Sequence, residues 1–258
     1  MLSIDCAHID TQISSFIRNV LQAAGRQKLV IALSGGIDSA VSCALGVHAV
    51  GHENILPIIL PYGSLSEKDS QDALLVADHF HIPRENLTNI AIQPVVDTIL
   101  QQIQDADKVR RGNVMARARM IYVYDLAKKQ TALVLGTENK TEYYLGYFTR
   151  FGDEASDIEP IRTLYKTQVR QLGQYFQLPA SIVTKAPSAG LWSNQTDEQE
   201  FGFSYADVDR VLYYVFDQHV PPVEVEEKSG VPRSVVETVM AWVRANDFKH
   251  HVPRVFGE

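Results

Sequence analysis

The sequence predicts an α/β fold in which a doubly wound parallel sheet is flanked by helices, followed by a helical C-terminal part. Short continuous apolar runs, typical of strands buried on both faces, alternate with segments whose apolar residues recur at helical spacing. Two consecutive glycines separate the first such run from the helix after it, as at a tight strand-to-helix turn. Ligands of such sheets bind at the carboxyl ends of the strands, so a site is expected there.

The predicted elements follow in chain order. An amphipathic helix comes first, with apolar residues at 13, 16, 17, 20, 21 and 24 and a C-terminal stop at Gly25. Strands are predicted over 29–33, 55–60, 86–90 and 131–135, and helices over 38–50, 67–80, 94–103, 112–130, 165–177 and 204–217. A last helix carries apolar residues at 235, 236, 239, 240 and 243, and 185–202 is predicted to be a polar loop. Pro57 indicates that the second strand begins late, since proline cannot donate to a ladder.

Composition bounds the class of protein. No repeat, low-complexity tract or linker divides the 258 residues, so one domain over 1–258 is predicted. Hydrophobic residues make up 45% of the chain and the formal net charge is −7. A general nucleic-acid binder is expected to have a basic surplus, so no nucleic-acid partner is predicted. Any anionic ligand must then be held by a few placed cations and by backbone dipoles.

Targeting and redox signals are weak throughout the sequence. No apolar run approaches the roughly 18 residues that span a bilayer, and the N-terminus lacks a basic region ahead of an apolar stretch. Cys6 and Cys43 form neither a CxxC pair nor a metal-ligand spacing. These observations predict a cytoplasmic, reduced protein with no membrane partner.

The segment SGGIDS at 34–39, between the first strand and its helix, carries the strongest chemical signal. The glycines bring successive backbone N–H groups close to a ligand, while the serines add hydroxyl donors and the helix start adds its dipole. The expected phosphate-binding residues are Ser34, Gly35, Gly36, Ile37, Asp38 and Ser39. Asp38 would repel a polyphosphate unless Mg²⁺ lies between them. A plain tight turn is the alternative, and neither a Walker nor a GxGxxG pattern occurs.

This loop resembles the pyrophosphate loop of the N-type ATP pyrophosphatases, which cleave ATP to AMP and pyrophosphate. That resemblance implies a Rossmann-like fold of the adenine-nucleotide alpha-hydrolase type. Five further blocks are similar to those of the NAD synthetases: GNVMARARM at 112–120, LGTENKTE at 135–142, GYFTRFGD at 146–153, LYKTQ at 164–168 and KAPSAGLW at 185–192. Because all five occur in order, this resemblance is far more specific than the loop alone.

The resemblance implies ammonia-dependent synthesis of NAD, in which ATP activates the carboxylate of deamido-NAD as an acyl adenylate and ammonia displaces AMP. ATP contacts beyond the loop are expected at Thr137, Lys166 and Ser188. Contacts with deamido-NAD are expected at Arg117, Arg150, Asp157 and Lys249. Mg²⁺ is expected on Asp38 and Glu142, and the catalytic set is Asp38, Lys166 and Asp153. Asp153 is the candidate that takes a proton from ammonium.

The residues themselves fit these roles. Thr137 and Glu142 follow a predicted strand, so they emerge at the same sheet edge as the phosphate loop. Lys166 begins a helix, where a cation opposes the dipole and needs an anionic partner. Arg117 lies in the most basic stretch, on a helix whose residues 115, 118, 121 and 122 are expected to face the core. A solvated basic face is the alternative there.

Several features depart from the family pattern or extend it. Phe248 stands where the family has a histidine before Lys249, and His250 is a candidate substitute. The loop over 188–202 is a candidate lid, with a static surface loop as the alternative. Because the phosphate loop begins at residue 34, no amidase domain is expected before it, and free ammonia or a separate subunit would supply nitrogen. The resemblance also implies a homodimer, for which the helices at 114–127 and 204–217 are candidates.

Two other functions remain open. A tRNA thiolase or lysidine-type synthetase of the same superfamily would favour a basic surface, and thiolases commonly use CxxC pairs; the sequence has neither. A nucleotide sensor would keep the fold without the chemistry. The joint presence of Asp38, Glu142, Asp153 and Lys166 argues against a sensor.

Overall fold

The computed structural model describes residues 2–188, 197–251, 253 and 255–256. Its strands are β1 (Leu29–Ala32), β2 (Ile55–Ile59), β3 (Thr88–Asn89) and β4 (Leu133–Val134). Its helices are α1 (Cys6–Ala23), α2 (Ile37–Val50), α3 (Glu67–His79), α4 (Gln93–Gln102), α5 (Lys108–Gln130), α6 (Lys140–Leu145), α7 (Lys166–Tyr175), α8 (Ala180–Val183), α9 (Asp197–Phe201), α10 (Tyr205–Leu212), α11 (Val225–Ser229) and α12 (Arg233–Asn246). In this part of the chain no helix is both long and apolar enough to cross a membrane.

The four strands form one parallel sheet in the order β3-β2-β1-β4. Leu29 of β1 pairs with Ile55 of β2 on one side and with Leu133 of β4 on the other. From β1 the chain proceeds outward through β2 to β3, and it then returns to place β4 on the opposite side of β1. This reversal puts the topological switch point between the carboxyl ends of β1 and β4, where open α/β sheets bind ligands.

Helices cover both faces of the sheet, as predicted. One core gathers apolar residues of α1, α2 and α7 with one face of the sheet, including Ile17, Val41 and Val169. A second core joins the other face to α4 and α5, through residues such as Val96 and Met115. A third core belongs to the C-terminal helices α10 to α12. The predicted α/β class with a helical C-terminal part is therefore confirmed.

The strands differ from the predicted spans in length and start. β4 is shorter than 131–135 because Thr131 ends α5 in a left-handed conformation (φ 55°), so pairing begins only after the turn. The prediction that β2 begins late was wrong, since β2 includes Pro57. Ile58 O accepts from Leu33 N of the β1 side, and Ile59 O accepts from Ile90 N of the β3 side. Pro57 therefore faces the β3 side, before β3 begins, where no donor is needed.

Several predictions about the helices also need correction. Residue Ile121 was expected to face the core, but it is 59% exposed, whereas Met115 and Ala118 are buried as expected. The predicted polar loop over 185–202 contains the helix α9, and the short helices α6, α8 and α11 were not predicted. The proposed lid rests mainly on 189–196, which lies outside the described residues.

Candidate active site

A cavity of about 690 Å³ opens at the carboxyl ends of β1, β2 and β4. Residues that follow these strands line it: Ser34, Gly36, Asp38 and Ser39 after β1, Leu60 and Pro61 after β2, and Gly136 and Thr137 after β4. Lys166, Glu142, Ser188 and Asp153 line it as well. The switch point is thus the place where most of the predicted ATP and metal residues meet.

The loop before α2 is held in shape by its own polar atoms. Ser39 Oγ donates to Gly36 O at 3.0 Å, and Ser34 N donates to Ser39 Oγ at 3.3 Å. Gly35 has φ +72°, and a Cβ there would overlap the carbonyl oxygen of Asp69 and lie 2.8 Å from Asp72 Cβ. Both the left-handed backbone and the close approach of α3 therefore require glycine at this position.

Lys185 ties this loop to α3. Its ammonium donates to Gly35 O at 3.1 Å, to Asp69 Oδ1 at 2.7 Å and to Asp72 Oδ2 at 2.6 Å. The two aspartates raise its pKa against the opposing effect of burial. The loop conformation is therefore fixed from outside the loop by a residue about 150 positions away in sequence.

A buried ion cluster forms on the other side of the loop. Lys166, the first residue of α7, donates to Asp38 Oδ2 at 2.5 Å and to Glu142 Oε1 at 3.1 Å. Asn139 caps α6 by accepting from Glu142 N, and its amide donates to Asp38 Oδ1 at 3.0 Å. The short helix α6 therefore brings Glu142 against the start of α2.

The charges of this cluster depend on one another. Burial by itself would lower the pKa of Lys166, but the carboxylates of Asp38 and Glu142 outweigh it and raise that pKa. Burial raises the pKa of Glu142, and Lys166 opposes that rise. The ammonium is thus held charged by two carboxylates that line the cavity, as the helix-start position of Lys166 led us to expect.

Asp197 adds a buried carboxylate beside this cluster that sequence reasoning missed. It is 3% exposed and lines the cavity. Tyr205 OH donates to its Oδ2 at 2.9 Å and Tyr147 OH donates to its Oδ1 at 3.2 Å. Its sequence context is a polar run without a motif, so no local signal distinguishes it from a surface acid.

Asp209 braces the two short segments that carry Glu142 and Lys166. From α10 it accepts from Thr141 Oγ1 at 2.6 Å and from Thr167 N at 2.8 Å. Thr141 Oγ1 also accepts from Lys166 N at 3.0 Å. This fully buried carboxylate was not predicted either, because its partners lie far from it in sequence.

Asp153 and Lys249 lie in another part of the cavity. Asp153 Oδ1 accepts from Thr149 N at 3.0 Å. Asp153 lines the cavity, and its desolvation by the surrounding protein raises the pKa of the carboxyl group. Lys249, from the turn after α12, donates to the carbonyl oxygens of Gly146 and Phe148. Its partial burial lowers its pKa, while Asp153 acts in the opposite direction.

Three predicted substrate contacts lie outside the set that lines the cavity. Arg117 Nε donates to Arg150 O at 3.2 Å, so these two cations share a surface beside α5. The guanidinium of Arg150 stacks over the ring of Phe248 at 5.0 Å. Asp157 accepts from Val134 N at 2.8 Å, at the end of β4. His250, the candidate substitute, packs on the ring of Tyr143 at 4.3 Å instead of lining the cavity.

The sequence is similar to those of known NAD synthetases. A model of the family described as NAD synthase matches residues 9–253. The chain is 40% identical over 252 residues to an NH(3)-dependent NAD(+) synthetase of Chlorobium phaeobacteroides, covering 98% of this chain and 90% of that protein. It is 37% identical over 254 residues to one of Fusobacterium nucleatum, covering 98% and 97%.

Two solved structures agree in fold over almost the full length. The NH3-dependent NAD synthetase from Campylobacter jejuni in complex with nitrate gives a TM-score of 0.82 at 26% identity, covering 98% of this chain and all of that one. The NMN synthetase from Francisella tularensis gives 0.86 at 33% identity, covering 99% and 100%. Together with the phosphate loop at the switch point and the family match over 9–253, these likenesses show that the chain belongs to the NAD synthase family.

Proposed function

We propose that the chain catalyses the ATP-dependent amidation of deamido-NAD by ammonia, which yields NAD, AMP and pyrophosphate through an acyl adenylate. The observation that carries this proposal is the cavity at the switch point, which joins a phosphate loop, a buried lysine and paired carboxylates. Relatives at about 40% identity that are named NH(3)-dependent NAD(+) synthetases support it. A tRNA-modifying activity and a sensor are not favoured by these findings.

ATP would bind with its phosphates on the loop over 34–39. The loop presents backbone N–H groups and the start of α2, which together favour phosphate oxygens. Lys166 adds a positive charge, and Thr137 and Ser188 line the same cavity. These groups would hold the α-phosphorus in place for attack by the substrate carboxylate, so that positioning and charge neutralisation supply most of the acceleration.

Mg²⁺ fits the residues present. The ammonium of Lys166 donates to a carboxylate oxygen of Asp38 at 2.5 Å and to one of Glu142 at 3.1 Å. Both carboxylates line the cavity. In the described part of the chain no group of three acidic, histidine or cysteine residues is arranged to hold a metal alone. Mg²⁺ in nucleotide enzymes is bound by one or two carboxylates together with substrate phosphates, so a pair is enough. When bound, it would neutralise phosphate charge.

The dinucleotide would extend from the cavity onto the surface beside α5. Lys249 lines the cavity, and the ring of the adjacent Phe248 lies under the guanidinium of Arg150 at 5.0 Å, so the cavity and this surface meet at the turn after α12. Arg150, Arg117 and Asp157 would then contact the part of the substrate remote from the nicotinate. Asp153, with its raised pKa, would accept a proton from ammonium so that ammonia can attack the adenylate.

Amidation of the mononucleotide is a second candidate function. It is favoured by the likeness to the Francisella tularensis NMN synthetase, at 33% identity and a TM-score of 0.86. Its chemistry would be the same, because the carboxylate of the nicotinate is activated in both cases. The surface cations Arg117 and Arg150 would then be unused, which is why we prefer the dinucleotide.

One set of parallel incubations tests these proposals. The protein is incubated with ATP, Mg²⁺ and ammonium, together with either deamido-NAD or nicotinate mononucleotide. Products are separated by liquid chromatography, and pyrophosphate is measured. We expect NAD from the dinucleotide at a kcat/KM at least about tenfold above that for the mononucleotide, because remote contacts contribute to transition-state binding. Absence of amide product from both would refute the enzyme proposal, and preference for the mononucleotide would establish the second candidate. Glutamine in place of ammonium should give little NAD.

We also propose that the chain acts as a homodimer in the cytoplasm. Arg117 and Ile121 lie one helical turn apart on the exposed face of α5, and the exposed Phe151 and Phe248 lie next to the Arg117–Arg150 contact. Exposed apolar side chains that cluster beside a charged rim are typical of protein interfaces. The helix at 204–217 is a weaker candidate, because its apolar residues are largely packed in the third core.

A further inference from the structure

Arg119 is a cation of the cavity that no expected role includes. It stands on α5 two residues after Arg117, but it faces the cavity, whereas Arg117 is exposed. Its Nε donates to Leu60 O, at the end of β2, at 3.1 Å. This bond uses one of the five N–H donors of the guanidinium and fixes its plane at the cavity wall.

No carboxylate of the described residues lies within 4.0 Å of the Arg119 guanidinium. Lys166 and Lys185, the other cations around the phosphate loop, each contact two carboxylates. Burial lowers the pKa of Arg119, yet a guanidinium keeps its proton in proteins. A charged group partly removed from bulk water is costly unless it is paired, so a partly buried arginine that faces a cavity without a carboxylate partner indicates an anionic ligand.

The position of Arg119 indicates which part of a ligand it meets. Leu60, whose carbonyl accepts from Arg119, follows β2, which pairs with β1, the strand that leads into the phosphate loop. Ala116, about one helical turn before Arg119, packs against Gly152, the neighbour of Asp153. Asp153 marks the side where ammonium is proposed to lose its proton. Arg119 therefore lies between the place for ATP phosphates and the place for the amidation step.

We infer that Arg119 binds an oxyanion at this junction, contributed by the α-phosphate of ATP or by the carboxylate of the nicotinate. The inference rests on the proposed function and adds a residue to it. A carboxylate oxygen forms its bond to the α-phosphorus while the bond to pyrophosphate breaks, and the electron pair leaves with pyrophosphate. Arg119 keeps its protons throughout and stabilises the negative charge on the α-phosphate oxygens or on the carboxylate. In the amidation step the same charge departs with AMP.

The test compares Arg119→Gln and Arg119→Lys with Arg110→Gln, an exposed arginine on the same helix. Arg119→Gln should lower kcat/KM by about 100-fold or more, as removal of one preorganised donor does elsewhere. Arg119→Lys should recover part of the loss, since it keeps the charge but lacks the planar fork. Arg110→Gln should match the wild type. Melting temperatures identify variants that fail to fold, and a folded Arg119→Gln with the kcat/KM of the wild type would overturn the inference.

Binding measurements on the same proteins work without turnover. Calorimetry with AMP alone and with deamido-NAD alone reports the two sources of the oxyanion separately. Weaker binding of AMP by Arg119→Gln, by about tenfold or more, assigns the phosphate, and weaker binding of deamido-NAD assigns the carboxylate; either result supports the inference. Unchanged affinity for both, with kcat within twofold of an active wild type, would overturn it. An inactive wild type that still loses AMP affinity in Arg119→Gln would instead refute the proposed function alone.

Discussion

At the scale of single residues, the charged side chains of the cavity work in sets rather than alone. Lys166 is shared by Asp38 and Glu142, so each carboxylate has a partner when the other is removed. Breaking a buried ion pair is expensive mainly when it leaves a charge without compensation. A single substitution in this cluster can therefore remove a ligand oxygen while the protein stays folded.

The substitution Asp38→Asn removes one carboxylate of this cluster and leaves the other in place. We expect pyrophosphate release to fall by at least about 100-fold, since metal-assisted charge stabilisation contributes several kcal/mol. The free energy of unfolding should change by no more than roughly 1–2 kcal/mol because Glu142 still pairs with Lys166. Asp78→Asn, which loses an exposed pair with Arg84, is the control and should retain activity. Turnover by Asp38→Asn at the wild-type rate would contradict the proposed Mg²⁺ ligand.

Glu138 offers a pH-dependent test of residue-level electrostatics. Burial raises its pKa to about 8, against the attraction of Arg162 2.7 Å away. Between about pH 4.5 and 8 the folded protein therefore holds a proton that the unfolded chain has lost, and stability falls as the pH rises through this window, by up to ~1.4 kcal/mol per pH unit. Glu138→Gln removes this dependence.

Urea unfolding at pH 5, 6.5 and 8 measures the effect. The stability difference between Glu138→Gln and the wild type should grow in favour of the variant as the pH rises. Glu85→Gln, which changes an exposed carboxylate, should leave the wild-type pH dependence intact. A constant difference between Glu138→Gln and the wild type across this range would show that the buried carboxyl stays ionised.

At the scale of elements, the phosphate loop depends on the helix that packs behind it. The backbone of α3 approaches Gly35 so closely that no side chain fits, and Lys185 bonds both partners. The same substitution at two glycines with similar φ separates this contact from backbone strain. A Cβ added at Gly25 (φ +63°) would meet open space, whereas a Cβ added at Gly35 (φ +72°) would overlap α3.

Gly35→Ala should raise the KM for ATP by about tenfold or more, and it should cost roughly 2–5 kcal/mol of stability from strain and overpacking together. Gly25→Ala should cost only about 1–2 kcal/mol, the penalty of the left-handed conformation, with unchanged kinetics. Chemical denaturation and steady-state kinetics on both proteins provide the measurement. Equal kinetic effects at the two positions would show that the α3 contact does not shape the loop.

At the scale of the whole molecule, the cavity lies where the sheet meets the C-terminal helices. Lys166 and Lys249 line it from the C-terminal half, while the phosphate loop comes from the first strand. The exposed face of α5 beside this cavity carries Ile121, and a second copy of the chain is the occupant that we propose for it.

Ile121→Lys tests this interface. A lysine buried against a partner without a counter-charge should raise the dimer dissociation constant by more than about tenfold. Val223→Lys, at a position that is 72% exposed and remote from α5 in sequence, should leave the assembly unchanged. Light scattering over a concentration series gives the mass of each protein. A wild type with the mass of one chain at all concentrations would show that the homodimer proposal is wrong.

The sequence by itself determined the fold class, the phosphate loop and the family. Apolar periodicity specifies which segments are buried, and the loop chemistry lies in six consecutive residues whose backbone geometry is local. The site residues that emerge directly from strands, such as Thr137, could be placed for the same reason. The family resemblance extended this placement to Glu142, Lys166 and Ser188.

Only the tertiary structure decided how charges pair across the cavity. Asp197 and Asp209 lie in none of the family blocks, and Lys185 and Arg119 lie in blocks that assigned them no role. The contacts that each of them makes come from distant segments of the chain. Lys166 and Asp38 are 128 positions apart, and Lys185 and Gly35 are 150 apart. The exposure of Ile121, against the helical pattern, was settled in the same way. Burial and pairing depend on which segments meet in space, and periodicity along one segment does not contain that information.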